Sequence, residues 1–247
     1  MAGGGVASWY DPIDVTEYTE AELHAGVEAA ENWGTYVMVH AYTPRSVQQA
    51  LRAGVRCIEH GHLLDEETVA KIAEHEAWWS LQPFLDDEDA VPLPSPASRA
   101  KQREVVQGTE RAYELARRCS VKLAWGTDTL FDAKLATRQG AQLAKMKRWF
   151  SPAEILKMAT STNAQLLAMS QPRNPYPGQL GVVAEGALAD LLLVDGNPLE
   201  NIDLIAAPEM SFSVIMKDGV IHKNLLSGSQ PVPRSMMCSS TTARPQF

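Results

Sequence analysis

The sequence predicts an α/β fold: half of an eight-stranded parallel β/α barrel, a partial (β/α)₈ TIM-type barrel, followed by a small β portion. Three observations predict it. Short apolar runs with strand character alternate four times with stretches of helical spacing between residues 21 and 149. Three of those runs close on a residue with metal-ligand chemistry: Tyr36-Val-Met-Val-His40, Cys57-Ile-Glu-His60 and Lys122-Leu-Ala-Trp-Gly-Thr-Asp128. The C-terminal ends of parallel strands are where barrels carry their chemistry. After Gly178 the helical spacing stops, and short strand-like runs with turn signals replace it.

Residues 21–32 have helical spacing and 36–39 form a strand. Residues 44–53 form a helix: Pro44 stands at its first position, where a missing N–H does no harm, and Gly54 stops it. A strand at 55–58 precedes a helix at 65–75, which Asp65 caps and whose first turn carries Glu66 and Glu67 at the positive end of the helix dipole. A strand at 78–82 leads into a loop at 83–96, acidic first and Pro-rich later. A long amphipathic helix at 98–119, a strand at 121–125 and a helix at 133–149 follow. Strands separated by helices of this length imply a parallel sheet with right-handed crossovers. Four such units leave two strand edges open and a core face partly exposed. Ser151, Pro152 and Glu154 are N-cap, first and third residues of a further helix to about Met169. Runs at 181–186, 189–194 and 212–222 are short strands, the last a hairpin turning at Asp218-Gly219. The expected organisation is an α/β region at 1–170, a β segment at 171–226 and a disordered Ser-, Pro- and Thr-rich tail at 227–247.

The 247 residues leave room for one large domain or a domain plus an appendage. With 45% hydrophobic and 21% charged residues the composition is that of a soluble globular chain. A net charge of −8 argues against nucleic acid as a partner, which calls for clustered Lys and Arg. No run of about 18 apolar residues is present, so no membrane span is expected. The opening Met-Ala-Gly-Gly-Gly lacks the basic and apolar regions of a signal peptide. As it stands the chain is expected in the cytoplasm, with the compartment left open in case a leader precedes an internal Met. Cys57, Cys119 and Cys238 are odd in number and form no CxxC, which argues against a disulfide framework or a Cys-type zinc site. Cys57 and Cys119 adjoin apolar runs and are expected as buried thiols.

Neutral imidazoles and a carboxylate suit Zn²⁺ and similar ions, which makes His40, His60 and Asp128 the candidate metal ligands. A hydrolytic metal lowers the pKa of bound water toward about 7. Asp128 can take the proton of the attacking water and pass it to the leaving group, which makes it the candidate catalytic residue. A lone His after a strand is more often a hydrogen-bonded core residue. Two of them and an Asp, at the same relative place in successive units, favour ligation. Tyr42 either donates to a substrate carbonyl or packs. Gln82 ends the third strand at the same mouth, and His62 is a loop residue near the pocket. These three are the substrate-side candidates. His24 and His75 belong to helices, His222 to the C-terminal hairpin and Arg45 to a helix surface. The acidic run at 86–89 is expected as a solvated loop, with a lid over the pocket as the sharper alternative.

Several motifs resemble the amidohydrolase superfamily, in its imidazolonepropionase-like and Xaa-Pro dipeptidase-like branch. They are His40-Ala-Tyr-Thr-Pro-Arg, Ala53-Gly-Val, Ile58-Glu-His60-Gly and Trp125-Gly-Thr-Asp128-Thr. Met158-Ala-Thr, Asn163-Ala-Gln-Leu-Leu and the Gly-rich stretch around Asp190 extend the resemblance over about residues 1–224. It implies a distorted (β/α)₈ barrel with one or two divalent metals, usually Zn²⁺, and a composite β-sandwich to which 171–226 would contribute. That family's site has an HxH pair after the first strand and often a carboxylated Lys after the fourth. A His after each of the fifth and sixth strands and an Asp after the eighth complete it. By position His40 matches the fifth-strand ligand, His60 the sixth and Asp128 the eighth, where it is both ligand and proton shuttle. No HxH precedes His40, and the first lysine is Lys71, on a helix. The chain therefore resembles the C-terminal half of such an enzyme, strands 5–8, and is expected to begin at an internal Met. The implied function is metal-dependent hydrolysis of amide-type C–N bonds in small peptides, cyclic amides or related compounds. The alternative is a truncated or non-catalytic chain that needs a second copy or a complementing polypeptide.

Overall fold

A computed structural model of the chain describes residues 1–129 and 132–226. The alternation read from the sequence is present. Helix α1 (Glu20–Asn32) opens on Thr19, whose hydroxyl accepts from Glu22 N at 3.3 Å while the Glu22 carboxylate accepts from Thr19 N at 2.9 Å. Then follow β1 (Met38–Ala41), α2 (Pro44–Arg52), β2 (Cys57–His60), α3 (Glu66–Glu74), β3 (Trp78–Leu81), α4 (Pro96–Arg118) and β4 (Lys122–Trp125). The strands pair in the order β1-β2-β3-β4, all parallel. No closed barrel forms among the described residues; the expected half barrel is an open four-stranded sheet.

Alternation along the strands sorts side chains onto two faces. Val39, Ala41, Ile58, Trp79 and Leu81 join Val47, Leu51, Val69, Ile72 and Tyr113 from the helices in the main core. Register places Met38 opposite Cys57, His40 opposite Glu59, and Glu59 opposite Ser80, so these residues share the other face. Part of it is closed by Leu166, which packs with Cys57, Trp78 and Ala124.

Helix α4 lies close to the loop after β2. A Cβ built on Gly108 would sit 2.2 Å from the His62 carbonyl oxygen. Gly108→Ala should gain about 1 kcal/mol of helix propensity but lose about 2–3 kcal/mol to overpacking, the upper part of the usual range, because the contact is with backbone that cannot swing aside. We expect a net loss in urea unfolding; an unchanged or raised midpoint would refute the close approach.

Two helices depart from expectation. Residues 133–149 are not continuous: 3₁₀ turns Leu135–Arg138 and Met146–Arg148 flank α5 (Gln139–Lys145) and turn Leu135 and Met146 into the core. The helix capped by Ser151 is α6 (Pro152–Lys157), a π-turn (Met158–Thr162) and α7 (Asn163–Ala168). At the end of that widened turn, the Asn163 side chain accepts from Trp125 N at 3.0 Å and donates to Trp125 O at 2.9 Å. It thereby pairs backbone groups that an edge strand would otherwise leave open.

The C-terminal β segment is a single antiparallel sheet, β5 (Leu191–Val194), β6 (Phe212–Lys217) and β7 (Val220–Asn224), with no second sheet to make a sandwich among the described residues. Asp218 and Gly219 both have positive φ, as a two-residue hairpin turn requires. The strand expected at 181–186 is absent. Gly181 and Gly186 bracket it at φ 72° and 84°, and Val183 is 89% exposed, without a ladder partner. Cys57 is buried and Cys119 half-buried. The tail expected at 227–247, Cys238 included, lies outside the described residues. Among the described residues no helix is long and apolar enough to cross a membrane.

Candidate active site

His40 is the next-to-last residue of β1, His60 ends β2, and Asp128 follows β4. With Tyr42 they line one cavity of about 310 Å³ at the C-terminal ends of the strands. Register alone would separate the two histidines. His40 faces Glu59 across the ladder, whereas His60 is in register with Ala41, on the opposite face. His60, however, has φ 76°. This left-handed backbone costs a non-glycine residue about 1–2 kcal/mol and breaks the alternation. It brings the His60 ring 4.6 Å from that of His40, edge to face. The turn is held by Trp79, whose indole N–H donates to the His60 carbonyl at 2.7 Å, and by Gly61 N, which donates to Ala41 O at 2.8 Å. Asp128 has φ 54°. Left-handed residues also end helices and turn the hairpin, but two at one cavity mouth are of the kind that clusters at functional sites.

The hydrogen bonds assign the ring protons. Gln82 Oε1 is an acceptor, because Gln82 Nε2 donates to Ser80 O at 3.2 Å and to Glu59 Oε2 at 3.4 Å. His60 Nδ1 therefore donates to it at 2.7 Å, and His60 Nε2 keeps its lone pair. His40 Nε2 lies 3.2 Å from the Gly4 carbonyl, which only accepts, so that nitrogen carries the proton. Burial, then the neighbouring His40 and His62, push His60 well below the usual imidazole value; burial also lowers His40. Both rings are neutral at pH 7. Burial raises the Asp128 carboxyl above its ordinary value. Burial first and Asp128 second raise the Tyr42 phenol, which stays protonated and stacks on His60 at 4.8 Å.

Gln82 and His62 do not line the cavity. Gln82 is buried behind His60 and orients its ring. His62 donates from Nε2 to Gln82 O at 2.9 Å and stacks on Phe84 at 4.9 Å; burial lowers its pKa to about 4. The acidic run is not a solvated loop throughout. Asp89 is buried and binds Arg138 and Lys145, and Asp87 binds Lys145 at 2.8 Å, which pins the loop as a cavity wall. Sequence reasoning missed Glu59, whose carboxyl burial raises, although strand alternation would have put it beside His40. It also gave residues 5–8 no role at the site, although they line the cavity.

The donor set fits a divalent ion in part. His60 Nε2 is free to ligate, and His40 stands beside it with its Nε2 proton on Gly4. Among the described residues, no group of three or more His, Cys, Asp or Glu side chains is placed to hold a metal ion. The triad His40, His60 and Asp128 thus shares a cavity without closing into a metal centre. Two imidazoles are half of the four donors that zinc commonly takes.

A model of the amidohydrolase family matches residues 1–230. The chain belongs to the amidohydrolase family. It is 29% identical over 228 residues to the ochratoxinase of Aspergillus niger, an alignment that covers 90% of this chain and 45% of that protein. In structure it resembles a prolidase complexed with N-methylphosphonate-L-proline (TM-score 0.80, 37% identity, 90% of this chain and 53% of that one). It also resembles a Xaa-Pro dipeptidase with methionine bound in the active site (TM-score 0.76, 26% identity, 90% and 53%). The chain spans about half the length of these amidohydrolase relatives.

Proposed function

We propose that this chain provides part of a metal-dependent hydrolase acting on amide-type C–N bonds of small peptides, cyclic amides or related compounds. The observation that carries the reading is the pairing of the His40 and His60 rings, 4.6 Å apart at adjacent strand ends, with Asp128 lining the same cavity. A divalent ion such as Zn²⁺, held by the two imidazoles and by further donors, would supply carbonyl polarisation and an activated water. The rest falls to the chain's own residues. His60 is held in one tautomer by Gln82, with its Nε2 lone pair free. Asp128, whose carboxyl burial raises above its ordinary value, takes a proton from water and returns it to the departing nitrogen. Tyr42 remains a phenol able to donate to the carbonyl oxygen. Phe84, Leu85 and Val105 make the wall apolar and limit water. A cavity of this size suits a small-molecule substrate.

The test is hydrolysis of Xaa-Pro dipeptides and N-acyl amino acids by the full chain in Zn²⁺-supplemented buffer. Asp128→Asn and His60→Ala should each lower turnover about 10²–10⁴-fold, and His60→Ala should lose Zn²⁺ in equilibrium dialysis. Variants as fast as the parent chain would end this reading. That no third donor joins the two imidazoles among the described residues favours a second reading, in which the site is completed by a second copy or a complementing polypeptide. Turnover that appears only above a threshold protein concentration, or only with such a partner, would select it.

A further inference from the structure

The segment 5–11 forms a wall of the cavity through Gly5, Val6, Ala7 and Ser8, and Val6 packs against the small cluster of Ile13, Tyr42 and Val105. Its tip, Trp9 and Tyr10, is 69% and 96% exposed. Lys101, in the first half of α4, reaches it from about 90 residues away in sequence. Lys101 Nζ donates to Gly5 O at 2.8 Å, Ser8 O at 2.9 Å and Asp11 O at 2.8 Å. An ammonium has three N–H groups, and all three are spent on one loop. Inside this clasp, Gly5 N donates to the Asp11 carboxylate at 2.7 Å. The residue before the loop, Gly4, places its carbonyl on His40 Nε2. Gly4 has little room to shift: a Cβ there would lie 1.8 Å from Pro12 O.

We propose that Lys101 is a positioning residue, which closes the 5–11 loop against the cavity and through it holds the Gly4 carbonyl on His40, so that His40 carries its proton on Nε2. Lys101 touches none of the candidate reacting groups and acts through the loop. Released from the clasp, the loop opens the cavity wall, and His40 loses the acceptor that selects its tautomer. The consequence for catalysis rests on the hydrolase reading; the clasp does not.

The experiment is amide hydrogen exchange and long-range ¹H–¹⁵N imidazole spectroscopy on the full ¹⁵N-labelled chain, with no substrate or metal added. Lys101→Met should speed exchange at Gly5 about ten- to hundred-fold, the worth of hydrogen bonds to a charged group. Ile58 and Trp79, in the sheet, should keep their rates. The His40 ring should pass from the Nε2–H form to a mixture of tautomers. Lys101→Arg should behave alike, because a planar guanidinium cannot meet three converging carbonyls. Unchanged Gly5 exchange and an unchanged His40 spectrum would overturn the proposal. So would equal loss of protection at Gly5, Ile58 and Trp79 in both variants, which would make Lys101 a general support of the fold. Turnover assays test the hydrolase reading separately, so failure of one is not failure of the other.

Discussion

Trp79→Ala should destabilise the chain by about 3–5 kcal/mol, the range for truncating a fully buried large aromatic side chain. Trp79 is completely buried in the sheet core beside Ile58, Leu81 and Ile72. Its removal leaves a cavity flanked by strands that cannot close over it. It also deprives the His60 carbonyl of its donor. The loss compares with a total stability of about 5–15 kcal/mol for a typical domain. Trp79→Phe separates the two parts: it keeps most of the ring and removes the N–H, and should cost about 1–3 kcal/mol through the orphaned carbonyl. Urea midpoints at constant m-value measure both. A Trp79→Ala loss below about 1 kcal/mol would contradict the packing assigned to β3, since truncations of this kind cost several times more.

Asp89→Asn should cost about 3 kcal/mol at pH 7, at the low end for breaking a buried ion pair. The low end applies because Arg138 is 39% exposed and Lys145 keeps Asp87 as a partner. Burial works against the Asp89 charge, but Arg138 and Lys145 hold its carboxyl below the usual value. For an acid with a depressed folded pKa, the stabilisation is present above the unfolded value of about 3.9. It is lost as pH falls through the folded value. The stability difference between parent and Asp89→Asn should therefore be level from pH 5 to 7 and shrink by pH 3. A difference of the same size at pH 3 and pH 7 would show that Asp89 contributes no charge to the fold.

Much of the framework was legible because it is local. Asp65 caps α3 by accepting from Thr68 N at 2.8 Å, and Ser151 and Glu154 form their reciprocal cap at α6; each contact spans three residues. The parallel sense of β1 to β4 follows from strand and helix lengths. The errors have physical causes as well. The run 181–186 has strand composition, but two left-handed glycines and no partner deny it a ladder. The acidic run looked solvated because its cations, Arg138 and Lys145, stand about 50 residues away in sequence. Gln82 faces the right mouth, yet its amide is consumed by His60 and Glu59, both more than 20 residues earlier.

The sequence by itself determined that His40, His60 and Asp128 arrive at the same end of one parallel sheet, because periodicity and caps act over a few residues. Only the tertiary structure decided that His40 and His60 meet. Simple alternation sends their side chains to opposite faces of the sheet. The left-handed turn at His60, held by the Trp79 indole, brings the rings together. Such a conformation is unfavourable in the isolated chain and persists only where distant groups hold it.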